Sequence, residues 1–533
     1  MALAPHCSCR PGTPCWEAVI RNADDSAFPA TLDADVAIIG AGAAGLALAL
    51  ALAKSRLSVV VLAGGGETED PVTQALYDGE IIGAPYTPLT QIRSRQFGGT
   101  TSQWEGWCHP LQQNDLSARG WIDNSGWPIK ASDLEPFMEG AAALAELGGA
   151  GFDYGALSQI AAQSGSSILP VIHGGVETRL VRGSPPTRFG TRYRAELDAA
   201  RNVTVWLGLS AAGFEMSGDG TRIAAVRYAR IEGRQGRLRA RHVVMAAGGI
   251  ENARLMLSAE PQLSPAMGDS FWHVGRHFSD HPLLDGAAFL LRVRGEGVAP
   301  GLPAYDGPVE GAFGRARFAL APSPLLMARE GIASSLTFIR PSAGTLVLSA
   351  RGGNAVQGEA AEVLPDARLA AAAAQAAFPL AREMDVHPLT GLIETRSRSD
   401  SRITLSDARD RLGLAKPRLD WRIGAQDIAD YVTTLVHLAR DMAATGTGLV
   451  YVHPEAARIF AGNFGHAGHH MGTTRMAADP ARGVTDANGK VFGIGNLWCQ
   501  GSSLFCTPGA TYPTLTILAM ALRLADAFMK GTA

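Results

Sequence analysis

Near the N-terminus, a β-rich run from Asp35 to Ile39 (DVAII) enters GAGAAG and continues as an Ala/Leu helix (LALALALAK). The chain then returns as a second apolar run, LSVVVL, from Leu57 to Leu62. Two short strands of continuous apolar character need cover on both faces, which is the pattern of a parallel sheet built from a βαβ unit. The turn between them holds Gly40, Gly42 and Gly45 in GxGxxG spacing. The first glycine permits the tight turn, the second lets backbone approach a pyrophosphate, and the third lets helix and strand pack closely. A phosphate here would meet the free N–H groups at the positive end of the helix. Gly40, Ala41, Gly42, Ala44 and Gly45 are therefore candidate cofactor contacts, and the start of the chain folds as an α/β dinucleotide-binding sheet.

The usual partner of this turn is an acid about 20 residues on, at the end of the second strand, which accepts hydrogen bonds from the adenosine ribose. That position falls on Ala63, or on Leu62 with a one-residue slip, and neither can accept. Glu67 and Glu69, just past the GGG of 64–66, are the loop acids that could substitute.

The 533 residues are enough for two sizeable cores, and 46% hydrophobic with 18% charged residues is the balance of a globular enzyme. A net charge of −3 lacks the basic bias of a nucleic-acid or anionic-membrane binder. No window reaches the ~18 uninterrupted apolar residues of a membrane span, and the first 30 residues show no signal-peptide pattern; a cytoplasmic protein is the expectation. The six cysteines, Cys7, Cys9, Cys15, Cys108, Cys499 and Cys506, form no CxxC pair and read as reduced thiols. A metal site on the Cys-containing tail would have only His6 to add.

Residues 1–32 read as an extension. Residues 64–95 are loop-rich, and an Ala/Leu helix lies around 134–147. HVVMAAGG at 242–249 followed by IENARLML is a second strand–turn–helix. Between 285 and 350, AAFLLRV, SSLTFI and GTLVLSA predict antiparallel strands of a second domain. A long Ala-rich helix is expected over 362–380. Ile428, Tyr431, Val432, Leu435 and Leu438 recur at helical spacing, and the chain closes on an amphipathic helix, LTILAMALRLADAFMK.

Three further segments carry chemistry. In FGGTTSQWEGWC, Gly98 and Gly99 precede Thr100, Thr101 and Ser102, so backbone and hydroxyls could contact a phosphate or a flavin edge. VGRHFSDHP places His277 and His281 close in sequence, but no third metal ligand is evident and no metal site is expected. The C-terminal run holds HHMGTTRM, with His469 and His470, then GSSLFCTPGATYPTLT, with Gly501, Ser502, Tyr512 and, at the start of the last helix, Thr514.

Together these segments resemble the glucose–methanol–choline (GMC) family of flavin oxidoreductases. The GGTxxxWxG run at 98–106 is similar to its bacterial sugar- and polyol-dehydrogenase branch and to pyranose-oxidase-like members. The resemblance runs from about residue 33 to 530 and is weakest over 150–235 and 285–455. It implies FAD as cofactor, with Gly501–Ser502 against it and the Thr514 N–H suited to the flavin pyrimidine oxygens, where negative charge gathers on reduction. It makes His469 the base that removes a hydroxyl proton while hydride leaves for flavin N5, a role suited to imidazole near neutrality. His470 stands where the family usually has Pro and competes for that role. Tyr512 stands where the family has Asn or His; a phenol stays protonated and can donate one hydrogen bond to a substrate oxygen. Gln103 replaces the His that some members link covalently to the flavin, which implies noncovalent FAD.

The sequence therefore predicts an α/β protein. A Rossmann-like FAD-binding domain is assembled from 33–150, 151–284 (with substrate-side insertions) and 458–533, and a substrate domain with an antiparallel sheet spans 285–457. The expected activity is oxidation of a CH–OH group of a sugar, polyol or complex metabolite, with oxygen, a quinone or a redox protein left open as electron acceptor. Tyr512 keeps open a lyase or decarboxylase on the same scaffold, and Ala63 a relative that has lost its cofactor.

Overall fold

A computed structural model describes residues 20–23, 30–149, 151–169, 174–231, 233–294, 302–349 and 354–533. His6, Cys7, Cys9 and Cys15 lie outside the described residues.

The first sheet grows from the βαβ unit the sequence predicts. Strand β2 (Thr31–Ile39), helix α1 (Ala43–Leu52) and strand β3 (Val59–Ala63) follow one another, with β2 and β3 parallel. Every residue of β3 is buried, and α1 buries most of its surface, because the helix lies between the sheet and the C-terminal helix Thr514–Lys530. An apolar helix is stable only when covered in this way.

On one side of β3 stands Val203–Leu207, and beyond it β1 (Ile20–Asn22), both parallel. Residues 20–22, placed in an N-terminal extension by sequence, are thus an edge strand. Three residues are too few to show a period, so only pairing identifies them. On the other side of β2 lies Gln235–Met245, longer toward its N-terminus than the 242–249 predicted. Its C-terminal half pairs in parallel with Leu497–Cys499. Its N-terminal half pairs antiparallel with Ile223–Ala229, which continues the sheet to Ser210–Met216.

The second sheet is antiparallel and contains Gly314–Pro322, Ser335–Ile339 and Glu383–Ile393. It also takes in Val176–Gly183, which pairs along the length of Gly314–Pro322. The two-residue period sorts its faces. In Gly314–Pro322, Ala316, Phe318 and Leu320 pack toward helix Ala425–Ala444, with its Ile428, Tyr431, Leu435 and Leu438. Ala319 and Ala321 face the other way, into a cluster with Trp107, Phe338, Leu392 and the ring of Tyr512. This second face also takes in Leu283 and Ala510. The helix expected over 362–380 is broken into Ala360–Val363 and Ala367–Ala377, with Pro365 at the break, since proline cannot donate within a helix.

Candidate functional site

The glycine turn divides its work residue by residue. Gly40 adopts φ +110°, and a Cβ there would sit 2.6 Å from the Ala246 carbonyl oxygen. A Cβ on Gly45 would sit 1.9 Å from the Gly40 oxygen, so this position exists for helix–strand packing and lies beneath the cavity rather than on its wall. Gly42 differs: a Cβ there would meet nothing within 4 Å. It caps α1 without a side-chain hydrogen bond, and no acid stands in the first turn. The helix start is therefore open to an anion from the cavity side.

That cavity has a volume of about 660 Å³, within the range of cofactor and ligand sites. Gly40, Ala41, Gly42 and Ala44 line one end. Gly99, Thr100 and Thr101 reach it from the second Gly-rich segment, and Gly501, Ser502 and Thr514 from the C-terminal segment. Gly99 has φ +57°, and a Cβ there would stand 2.9 Å from the Gly42 Cα, so the two glycine turns touch. Besides Gly45, two more residues expected as contacts do not line the cavity. Gly98, at φ +92°, donates its N–H to the Ala41 carbonyl and abuts Gly190. Ser102 ends the 3-10 turn half-buried, while Gln103 and Trp104 reach the wall instead.

At the end of β3, Ala63 lines the cavity and presents no acceptor. Neither proposed substitute reaches it. Glu67 pairs with Arg194 on the surface, and Glu69 accepts from the Ser94 hydroxyl. Arg95 occupies this region: it lies against Gly64, donates to the Ser210 hydroxyl at 2.8 Å and stacks over Tyr77. Sequence reasoning missed Arg95, because it stands more than thirty residues from the strand end it covers. The segment 246–249 also lines the cavity, followed by Glu251, which is held by Arg93 and Arg254.

The other end of the cavity carries His469, His470 and Tyr512. The His469 ring stands edge-to-face with Tyr512, centroids 5.8 Å apart. Tyr512 is fixed through its backbone, bridged to His109, immediately before the Thr514–Lys530 helix. Burial pushes its phenol up to about 12, partly offset by the Arg317 guanidinium, so it is a hydrogen-bond donor at neutral pH. Burial, with His281, His470 and His466 nearby, holds His469 well below its usual value and therefore neutral. His470 turns toward Tyr86 and Phe278, and its buried Nε2 has no partner among the described residues. Its carbonyl accepts from the Ser502 hydroxyl at 2.6 Å, and the missing side chain of Gly249 lets that carbonyl pack close.

The two histidines of VGRHFSDHP separate. The Nδ1 of His277 lies 3.0 Å from the Ser397 hydroxyl, away from the cavity. His281 instead meets His469, with their Nδ1 atoms 2.8 Å apart. A third potential ligand does exist, against expectation: donor atoms of Asp280, His281 and His469 lie within 4.8 Å of one another. The Asp280 oxygens are committed to hydrogen bonds. One accepts from the His281 and His469 N–H groups, and the other from Gly468 N–H and the Tyr86 hydroxyl. Cys108, Cys499 and Cys506 are buried free thiols.

Over nearly its whole length the chain has the fold of solved oxidases. It matches pyridoxine 4-oxidase from Mesorbium loti at TM-score 0.51 and 16% identity, over 93% of this chain and 99% of that one. It matches a formate oxidase at TM-score 0.54 and 17% identity, over 94% and 99%. The family model described as GMC oxidoreductase matches residues 397–521, the stretch that holds His469, His470 and Tyr512. Among curated relatives, paromamine 6'-oxidase of Streptomyces fradiae is 33% identical over 132 residues, which are 24% of this chain and 23% of that protein. The 2-methyl-1,2-propanediol dehydrogenase of Mycolicibacterium austroafricanum is 32% identical over 126 residues, 22% and 21%. Each match spans less than a quarter of the relative's own length. Among the described residues no helix is long and apolar enough to cross a membrane.

Proposed function

We propose that this chain is an FAD-dependent oxidoreductase that oxidises a CH–OH group of a small hydroxylated molecule. The observation that carries the reading is one cavity with an uncapped helix start and open glycine at one end and a neutral histidine facing a protonated tyrosine at the other. The donors fit the cofactor: Gly40, Ala41, Gly42 and Ala44 with the first turn of α1 would take the pyrophosphate, Gly99 to Thr101 and Gly501–Ser502 would flank it, and Thr514 would face the flavin ring. When bound, FAD would supply the acceptor for the hydride that leaves the carbinol carbon. With Gln103 in place of a nucleophilic imidazole, the reading is noncovalent binding. In place of the missing acid at Ala63, the acceptor is the Ser210 hydroxyl, held by the Arg95 guanidinium.

In this reading His469 accepts the hydroxyl proton of the substrate, and the Tyr512 hydroxyl donates to the same substrate oxygen and orients it. The Trp107, Leu283 and Leu392 side chains exclude water from that end of the cavity. Residues 33–150, 151–284 and 458–533 act as the FAD-binding part and 285–457 as the substrate part, to which Val176–Gly183 adds a strand. Relatives named as an oxidase of paromamine and a dehydrogenase of a diol favour a polyhydroxylated substrate over a lyase or decarboxylase reaction.

The test is anaerobic flavin reduction against a panel of sugars, polyols and diols, followed by exposure to air, which separates oxygen from a quinone or redox protein as acceptor. His469→Ala is expected to retain FAD and lose reduction by substrate. Bleaching of that variant at the wild-type rate would overturn His469 as the base.

A further inference from the structure

His281 is completely buried and reaches His469 from the VGRHFSDHP segment, 188 residues earlier in the chain. Its Nε2 lies 2.7 Å from the Gly509 carbonyl oxygen, an atom that can only accept. Nε2 therefore carries the ring hydrogen. Burial pushes the His281 imidazole down to about 4, so at neutral pH the ring has one hydrogen and its Nδ1 is a bare lone pair.

That lone pair stands 2.8 Å from the Nδ1 of His469. Two bare nitrogens at this separation would repel, whereas a hydrogen on one of them makes a good hydrogen bond. Only His469 has a hydrogen to place there. A metal ion between the rings would need the Asp280 carboxylate, whose oxygens already accept from the N–H groups of His281, Gly468 and His469 and from the Tyr86 hydroxyl. His469 is itself neutral, so a hydrogen on its Nδ1 leaves its Nε2 bare, on the ring edge away from His281.

We propose that His281 is a positioning residue: by accepting from Nδ1–H it fixes the tautomer of His469 in which Nε2 is free to take the substrate proton. A neutral imidazole in water favours the opposite tautomer, with its hydrogen on Nε2, which could not act as a base at that atom. The Gly509 carbonyl and the His281 ring together impose the less common form. The same carbonyl lies three residues before Tyr512, so one loop sets both the tautomer of the base and the position of its partner. This inference rests on His469 being the base of the proposed reaction.

The test is long-range proton–nitrogen NMR of the FAD-loaded protein with nitrogen-15 histidine, His469 being assigned by the signals lost in His469→Gln. The expected result is a neutral His469 with hydrogen on Nδ1. In His281→Leu the hydrogen should move to Nε2, and flavin reduction should slow by at least about tenfold with substrate affinity little changed. His281→Gln, whose side-chain oxygen accepts from Nδ1–H, should restore both the tautomer and most of the rate. A wild-type His469 with its hydrogen on Nε2, or one mole of bound metal that broadens or shifts both rings, overturns the proposal even if no variant folds. An unchanged tautomer in His281→Leu also overturns it. The expected tautomer together with a fully active His469→Ala would overturn the base assignment and leave the hold of His281 on the tautomer supported.

Discussion

Tyr512 offers a protonated phenol, kept so by burial. In the proposed reaction its contribution is a single hydrogen bond to the substrate oxygen. Losing one hydrogen bond to an oxygen that gains charge costs about 1–3 kcal/mol, or roughly five- to 150-fold in rate. Tyr512→Phe keeps the ring packed against His469 and the Trp107 cluster. It is expected to lower the rate of flavin reduction by that factor with FAD affinity unchanged, measured by stopped-flow absorbance and flavin titration. An undiminished rate would remove Tyr512 from the mechanism. His469, His470 and Tyr512 were legible because each stands in a short motif next to an ordered element. Arg95 and the role of His281 were not. What identifies them is a partner far away in the chain, Ser210 for one and Gly509 for the other, and no local period or spacing encodes such pairs.

The glycine turn and α1 form the element where sequence and structure agree most closely, since three glycines of one motif meet three different surroundings. Gly42→Ala adds a methyl group with nothing within 4 Å, whereas a Cβ on Gly45 collides with the Gly40 oxygen. Gly42→Ala is therefore expected to melt within a few degrees of the wild type and yet lose FAD affinity by about tenfold or more, because its methyl group enters the space a pyrophosphate would use. Gly45→Ala is expected to fail earlier, in soluble yield or thermal midpoint, because the collision is with backbone. Differential scanning fluorimetry and flavin fluorescence titration on both variants separate these outcomes. Equal FAD affinity in Gly42→Ala and wild type would move the pyrophosphate elsewhere. The runs 35–39, 57–62 and 242–249 of this sheet and AAFLLRV, SSLTFI and GTLVLSA of the second were legible from their apolar and alternating character, whereas Val203–Leu207, Leu497–Cys499 and Glu383–Ile393 were not named. β1 and Val176–Gly183 were not, because the first is too short and the second too rich in charge to show its partner before pairing is known.

Across the whole molecule, burial shifts an unusual set of ionisable groups toward their neutral forms, and they pull stability in opposite directions as pH falls. Burial lowers His109 and His281 to about 4 and His277 to about 3, and it holds His469 and His470 well below their usual range. For each, the unfolded chain binds a proton from about pH 6.5 downward while the folded chain does not. The stability these groups contribute is complete above 6.5 and is lost as pH drops toward 4. Burial raises Asp115, Asp280 and Asp427 to about 6. There the folded state binds the proton first, so their contribution is complete below about 4 and is lost as pH rises through 6. Between pH 6.5 and 4 the two groups oppose each other, at up to about 1.4 kcal/mol per pKa unit for each residue. Burial also lowers His242, His273 and His466 and raises Asp306, so the lowered histidines outnumber the raised carboxylates and are left in control. The thermal midpoint of the FAD-loaded protein is therefore expected to be highest near pH 7 and to fall steadily between pH 6.5 and 4.5. His277 lies outside the cavity beside Ser397 and Arg475. His277→Gln, which keeps a hydrogen-bonding side chain without the charge, should flatten that fall while leaving flavin reduction intact. A midpoint that holds or rises on acidification would mean that the buried carboxylates, rather than the buried histidines, set the acid limit of this fold.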